Sequence, residues 1–552
     1  MALRMQVVYL LLLFACHGKW ISCTAELQYV VPERAENILA VHLFKPTVIQ
    51  LLSNRTVHVL VNVNDSSVVG LIAQVQAQFE EVTISQFQKF NLDSSYTGQS
   101  AGLVIPLNPG AVKADFYLTC SQNVSAYVTV VSYGEKDPVP GSCNLEFSLE
   151  NDPNLHLKFG AYETIVKFAP ANLGVARGKL PPACDVSLGT NSRWRLKYTL
   201  YLHFLPANDM SEEILFSGIE KMTSATEVEK YGNKLLDLSS GDKTQLFVNS
   251  YAAFAVIHNI IVWDPLLNTS FAYVPSFIYT CNMSTTLPPV CEKYVHLSTQ
   301  IFFTILGIFG LLVCFSGHRF LEAEFLFIGF ILFAFISFVL MRRYADISFD
   351  MCLILTAVVG IFGGTLLALS HWQFGLPFLL IFIVGFVMGL LVASIVYFSP
   401  VLVNQKVFQS DLMYWVCFIS IVLIVPVFLL ISAKMFNIIC CALIGAYSFV
   451  CLVGTYFPTS VSYIFVNVIR RAVHPDFFHV ITPFPLQLND YVLIGVWTAL
   501  ATGGVLSQTY ITRNQPYFPG CPYESCRKRR SDATNDERAP LLGSRDNTAL
   551  NS

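Results

Sequence analysis

The sequence predicts an all-β lumenal or extracellular sandwich module, single or double, followed by an all-α seven-helix transmembrane bundle. Three observations predict it. Apolar runs long enough to cross a membrane recur through Leu297–Ile511 with brief polar breaks, apolar and polar residues alternate before that, and all five glycosylation sequons precede the first run. Composition agrees: 54% of the 552 residues are hydrophobic, only 13% are charged, and the net charge of −3 offers no basic excess for nucleic acid.

The seven runs are Leu297–Ser316, Phe325–Met341, Met351–Ser370, Leu376–Tyr397, Leu412–Ala433, Phe436–Tyr456 and Tyr491–Tyr510. A bilayer core takes roughly 20 helical residues, and all but the second run reach that length. None contains Asp, Glu, Lys, Arg or His. Intramembrane ionisable groups usually mark ion paths and proton relays, so their absence from the runs argues against a proton-coupled transporter, a retinal-type receptor and a seven-span metal hydrolase. A channel lined by carbonyls or hydroxyls stays open, with Asn437, Thr498, Thr502 and Ser507 as candidate lining. Gly360 with Gly364, Gly385 with Gly389, and Ala442 with Ala446 stand at the small-xxx-small spacing that lets helix backbones approach in lipid. Pro377 and Pro426 read as tolerated bends.

At the other end, Met1–Arg4 is a basic n-region, Val7–Cys16 an apolar h-region, and Cys23-Thr24-Ala25 a small-residue cleavage site, so residues 1–25 read as a signal peptide. Residues 26–296 then alternate. Val57, Val59, Val61 and Val63 fall on one face of a strand, and the period of two recurs in Leu71–Phe79, Cys143–Leu149, Trp194–Phe204 and Ala253–Trp263. Helical signals interrupt them at Ser211–Met222, where Ser211 is a cap, and at Ala225–Leu238. One or two sandwiches satisfy the pattern, with a break at Asp137–Ser142 or Asn151–Asn154.

The sequons at Asn54, Asn64, Asn123, Asn268 and Asn282 place this region in the lumen or outside the cell. Its cysteines, Cys120, Cys143, Cys184, Cys281 and Cys291, are odd in number and in an oxidising compartment. The expected pairs are Cys281–Cys291, which flank a short loop before the first span, and Cys143–Cys184, leaving Cys120 free. No metal, cofactor or catalytic constellation appears: there is no Gly-x-Ser-x-Gly and no His-Glu-x-x-His. Seven spans with the N-terminal region outside put the C-terminus in the cytosol. The short loops break the positive-inside rule, since the outer ones hold Arg342, Arg343, Lys406, Arg470 and Arg471 against Arg319 and Lys434 inside. The basic run Arg527–Arg530 in the tail obeys it. Val461–Ile469, too short to span, reads as an interfacial segment in the last outer loop.

Tyr133–Phe147, Lys167–Gly174, Ser192–Leu196, Val262–Pro265 and Gly317–Phe320 resemble the transmembrane 7 superfamily member 3 family, and the membrane half resembles the domain that family shares with transmembrane protein 198. The resemblance implies a pro-survival membrane protein that attenuates endoplasmic reticulum stress and supports insulin secretion; it carries over no catalytic or ligand-binding residue.

Residues 512–552 form a polar tail in which Glu537, Leu541 and Leu542 fit the acidic dileucine pattern read by clathrin adaptors. That predicts a plasma-membrane protein cycling through endosomes and lysosomes. The functional expectation is a non-enzymatic membrane protein whose partners are the lipid bilayer, a lumenal protein or ligand, and a clathrin adaptor at the tail. An orphan seven-span receptor and a channel or transporter are the alternatives. Rhodopsin-class membership is disfavoured because Ser370-His371-Trp372 stands where Asp-Arg-Tyr belongs.

Overall fold

The computed structural model describes residues 29–30, 38–91, 93–160, 162–185, 191–207, 209–252, 254–281, 295–374, 377–399, 410–430, 433–483 and 486–514. The leader and the dileucine segment lie outside them.

Ten strands build a first sandwich: β1 (Tyr29–Val30), β2 (Ile38–Val41), β3 (Thr47–Leu51), β4 (Val57–Asn62), β5 (Val68–Ala77), β6 (Val82–Ser85), β7 (Ser95–Gly98), β8 (Ser100–Pro106), β9 (Lys113–Cys120) and β10 (Val124–Gly134). One sheet runs β1-β3-β10-β5-β8 and faces the other, β2-β4-β9-β6-β7. Val57, Val59, Val61 and Val63 all point into the core between them, while His58 and Leu60 are half-buried on the other face. The alternation is therefore a direct record of pleat and burial.

A second sandwich follows a connection that contains both expected breaks. Its strands are β11 (Leu155–Phe159), β12 (Glu163–Phe168), β13 (Lys197–Phe204), β14 (Asn233–Ser239), β15 (Gln245–Asn249), β16 (Ala255–Asp264), β17 (Thr269–Ala272) and β18 (Ser276–Tyr279). Helix α1 (Glu212–Glu220), entered from Ser211, and α2 (Ala225–Tyr231) interrupt them. Two expectations change here. Ala225–Leu238 is helical only to Tyr231; beyond Gly232 the chain becomes β14, because the edge of β13 offers it a ladder. Cys143–Leu149 is not a strand. The Asn144 amide bonds its own backbone instead, its Oδ1 accepting from Glu146 N at 3.0 Å and Phe147 N at 2.9 Å, a local alternative to pairing.

The sandwiches share a seam. On β5, Leu71, Ala73 and Val75 enter the first core, whereas Ile72, with Val104 and Val131, joins the core of the second. Asn154 clasps Gly102, accepting from its N–H at 2.6 Å and donating to its carbonyl at 3.0 Å. A Cβ at Gly102 would sit 2.3 Å from Val274 Cγ2, so this approach needs glycine.

The membrane half contains α3 (Leu297–Ser316), α4 (Leu321–Tyr344), α5 (Phe349–Phe374), α6 (Pro377–Phe398), α7 (Asp411–Ile424), α8 (Ala433–Tyr456), a short α9 (Tyr463–Val473) and α10 (Leu488–Thr512). Six of these helices are long and apolar enough to cross a membrane. The run Leu412–Ala433 departs from a single span-length helix: after Ile424 it tightens into a 3₁₀ turn over Val425–Leu430. Pro426 sits in that turn and has no N–H to continue the α ladder.

The small residues pack. A Cβ on Gly364 would lie 2.4 Å from Leu326 O, and Gly360 faces Phe330 and Ala334, which seats α5 on α4. Gly389 meets the Val422 carbonyl and Gly385 meets Pro426, which seats α6 on α7 and its extension. Gly310 of α3 and Gly445 of α8 make an equally close pair, since a Cβ on Gly445 would lie 2.4 Å from Gly310 O.

Candidate functional site

Between α8 and α10 the chain climbs onto the second sandwich and becomes part of it. Val480–Ile481 forms a two-residue strand, β19, parallel to β15, with Phe247 opposite Val480 and Val248 opposite Ile481. The sheet thus reads β11-β12-β15-β19. Strand addition satisfies an open edge with main-chain bonds, and it ties this loop to the sandwich in a fixed register.

Helix α9 reinforces the tie. The helix takes up most of the apolar stretch Val461–Ile469 and is amphipathic: its Ile464, Val468 and Ala472 are buried, while its polar residues meet the sandwich. Asn249 Nδ2 donates to Asn467 Oδ1 at 3.0 Å, and Arg470 donates to Asn249 Oδ1 at 2.6 Å and to the Ser250 carbonyl at 2.9 Å. Ala252 N–H donates to Tyr463 Oη at 2.9 Å. Tyr251, fully buried, stacks edge-on against Tyr463 at 4.8 Å and donates to the Pro483 carbonyl. The start of α10 makes the last link: Gln487, in a capping box with Asp490, donates to Leu205 O at 2.9 Å and accepts from Ala207 N at 3.1 Å.

The arginines of these short loops have structural partners. Arg470 holds the sandwich, Arg471 pairs with Asp411 at 3.3 Å and lies 3.7 Å from the Tyr414 ring centroid, and Arg343 donates to the Ala472 carbonyl at 3.0 Å. Of the three, Arg470 bonds the sandwich, and Arg471 and Arg343 bond within the membrane half. Lys406 lies outside the described residues. Titratable groups flank the junction too. Burial raises the Glu163 carboxyl above its ordinary range, with Asp476 adding to it. Burial lowers the His474 imidazole, with Arg342 and Arg470 adding to it. Acidification therefore acts on the two in opposite senses, charging His474 against the folded arrangement and neutralising Glu163 in its favour.

A second polar cluster occupies the opposite end of the bundle. Glu324, in the first turn of α4, is fully buried, and Asn437 Nδ2 of α8 donates to its Oε1 at 2.7 Å. The same Nδ2 lies 3.3 Å from His318 Nδ1. Gln508 of α10 accepts from His318 N–H at 2.9 Å and donates to Cys314 O at 2.8 Å. Lys434 donates to the Thr512 carbonyl at 2.8 Å. This corrects the expectation of a bundle without an ionisable group: α4 begins four residues before the apolar run, and those four include Glu324. Of the expected channel lining, Asn437 is buried and Ser507 half-buried. Thr498 and Thr502 are exposed and bond the carbonyls one turn back on their own helix.

The sequence-singled residues otherwise fall as follows. Asn54, Asn64, Asn123 and Asn268 are exposed, and Asn282 lies outside the described residues. Cys143 and Cys184 are joined, with Cα atoms 5.6 Å apart, and Cys120 is a buried free thiol. Cys281 is disulfide-bonded; Cys291 lies outside the described residues. Glu537, Leu541 and Leu542 lie outside them as well. Missed by sequence reasoning were Asn249, Arg470, Gln487 and Glu324. The one available signal was the amphipathic period of Tyr463–Val473 with two arginines at its end.

Comparison with known proteins matches this architecture segment by segment. Residues 37–133 match the model of the TM7SF3-like, N-terminal immunoglobulin-like domain, and 138–284 the TM7SF3-like, second immunoglobulin-like domain. Residues 303–509 match the TM7S3/TM198-like domain. The chain is 41% identical over 467 residues to Transmembrane 7 superfamily member 3 of Homo sapiens, covering 84% of this chain and 82% of that protein. The protein of the same name from Mus musculus matches at the same identity and coverage. Among solved structures, a β-1,2-glucanase from Parabacteroides distasonis aligns at 12% identity over 46% of this chain and 31% of its own, with a TM-score of 0.14, too low to bear on fold or function.

Proposed function

The chain belongs to the transmembrane 7 superfamily member 3 family, and we propose that it is a non-enzymatic membrane protein whose paired immunoglobulin-like domains bind a lumenal protein or ligand and pass its occupancy to the bundle. The observation that carries this reading is the construction of β19 and α9 into the second domain: a partner that shifts this domain pulls directly on the segment between α8 and α10. The resemblance to the family supports placing that output in attenuation of endoplasmic reticulum stress and support of insulin secretion. The signal peptide, the sequons and the acidic dileucine support a lumenal N-terminus, a cytosolic C-terminus and cycling between the plasma membrane and endosomes.

The test uses cells lacking the protein, re-expressing the wild type or the Asn249→Ala, Arg470→Ala double variant at matched abundance. Under calcium-depleting stress the wild type should lower an unfolded-protein-response reporter and the double variant should not. A double variant that protects fully ends the coupling reading. A wild type without effect on the reporter ends the stress reading.

A further inference from the structure

The outer face of the second immunoglobulin-like domain carries a groove of about 500 Å³ across β13, β14, β16 and β17. Its walls include Trp263, Lys197, Thr199, Asp237, Ser270 and the sequon residue Asn268. We propose that this groove is a carbohydrate-binding site and that its occupant is the stem of the N-glycan on Asn268 itself. The proposal rests on the reading of Asn268 as a glycosylated position.

The chemistry suits a sugar. A pyranose ring has an apolar C–H face and a rim of hydroxyls, so a site for it combines a flat aromatic surface with closely spaced donors and acceptors. Trp263 supplies the surface. It stands opposite Ser270 on the β16–β17 ladder and is 37% exposed, unusual for the largest amphipathic side chain. Lys197 Nζ lies 5.6 Å from its ring centroid. Around it, Thr199 Oγ1 donates to Asp237 Oδ1 at 2.8 Å, and Lys234 pairs with the same Oδ1 at 2.9 Å. These groups can donate to and accept from sugar hydroxyls while remaining satisfied without them.

Geometry selects the chain's own glycan over a free saccharide. Asn268 lies in the turn between β16 and β17 with φ +52°, a left-handed conformation that asparagine tolerates better than most residues. That turn sets the attachment point among the walls of the groove. A tethered group meets an adjacent site at an effective concentration on the order of millimolar, so a shallow groove is filled without high intrinsic affinity.

A docked stem is shielded. Full-length protein, purified in detergent from a glycosylating host, is treated with peptide N-glycosidase under native conditions, and asparagine-to-aspartate conversion is followed site by site by mass spectrometry. Release from Asn268 should be slower than from Asn54, Asn64 and Asn123, on the order of tenfold for about 1.4 kcal/mol of contact. Trp263→Ala should raise the Asn268 rate to that of the other sites, and Trp263→Tyr should keep most of the protection. Unchanged rates at Asn54, Asn64 and Asn123 and an intact Cys143–Cys184 bond show that a variant is folded. An unoccupied Asn268 overturns the glycosylation reading on which the proposal rests. An occupied Asn268 released as fast as the others, or equally slowly with and without the Trp263 ring, overturns the groove.

Discussion

Asp264 places a carboxylate in the wall of the second immunoglobulin-like domain with 1% of its surface exposed, and Arg195 answers it with Nε 3.0 Å from both oxygens. The two residues come from Ser192–Leu196 and Val262–Pro265, stretches that carry the family resemblance, so those motifs are structural ones. Removing one partner of a buried pair strands a charge. Arg195→Ala should cost about 3–5 kcal/mol, whereas the Arg195→Met, Asp264→Leu double change should cost much less. Thermal unfolding of the full chain in detergent measures both. His258 sets a different limit. It is fully buried in β16, and burial lowers its imidazole from 6.5 to about 3. The unfolded chain takes up this proton below about pH 6.5 and the folded one only near 3. The stability of the second domain should therefore be level above pH 6.5 and fall through the interval below it, by about 1.4 kcal/mol per pH unit. His258→Leu should flatten that slope in a pH series of unfolding midpoints; an unchanged slope would assign the proton to another group.

Among elements, the α3–α8 contact is a tight joint of the bundle, because Gly310 and Gly445 bring two backbones together with no side chain between them. Gly445→Leu has to push the helices apart or force off-rotamer packing, at about 1–3 kcal/mol. The damage should extend to the far end, since α8 also carries Asn437, which holds Glu324. Gly503→Leu provides the control, because a Cβ there meets only Phe315 at 3.7 Å. Size-exclusion profiles in detergent should show loss of monodisperse protein for Gly445→Leu alone. The contrast between α7 and its neighbours belongs to this scale as well. Pro426 shortens the α-helix, yet the segment still packs against α6 through Gly385 and Gly389, so a proline turn and a glycine face are matched across one contact.

For the whole molecule, the two immunoglobulin-like domains share a seam, and the second takes the segment between α8 and α10 into its sheet. Leu541 and Leu542 lie in a segment with too few apolar residues to build a core. Leu541→Ala with Leu542→Ala should leave abundance and folding unchanged and increase the surface share at the expense of endosomes. Surface biotinylation beside antibody uptake reads this directly, and equal uptake by both forms means the dileucine match is accidental.

The sequence by itself determined the membrane half and the β-rich half, because both signals are local. A run of apolar residues reports one solvent, and a period of two reports a pleat with one buried face, as at Val57–Val63. The same locality limited what could be read. Cys143–Leu149 alternates like a strand, but the Asn144 side chain captures its backbone. Charge-free runs hid Glu324, which stands one residue before the run at Phe325 and is buried only because α8 brings Asn437 to it across 113 positions. Tertiary structure alone decided that Val480–Ile481 completes a sheet begun more than 200 residues earlier, and that Arg470 belongs with Asn249 at the end of that sheet's β15. Two residues are too few to show a strand period, and an arginine in a loop does not announce its partner. Such contacts arise only when the chain folds back on itself, which no local pattern records.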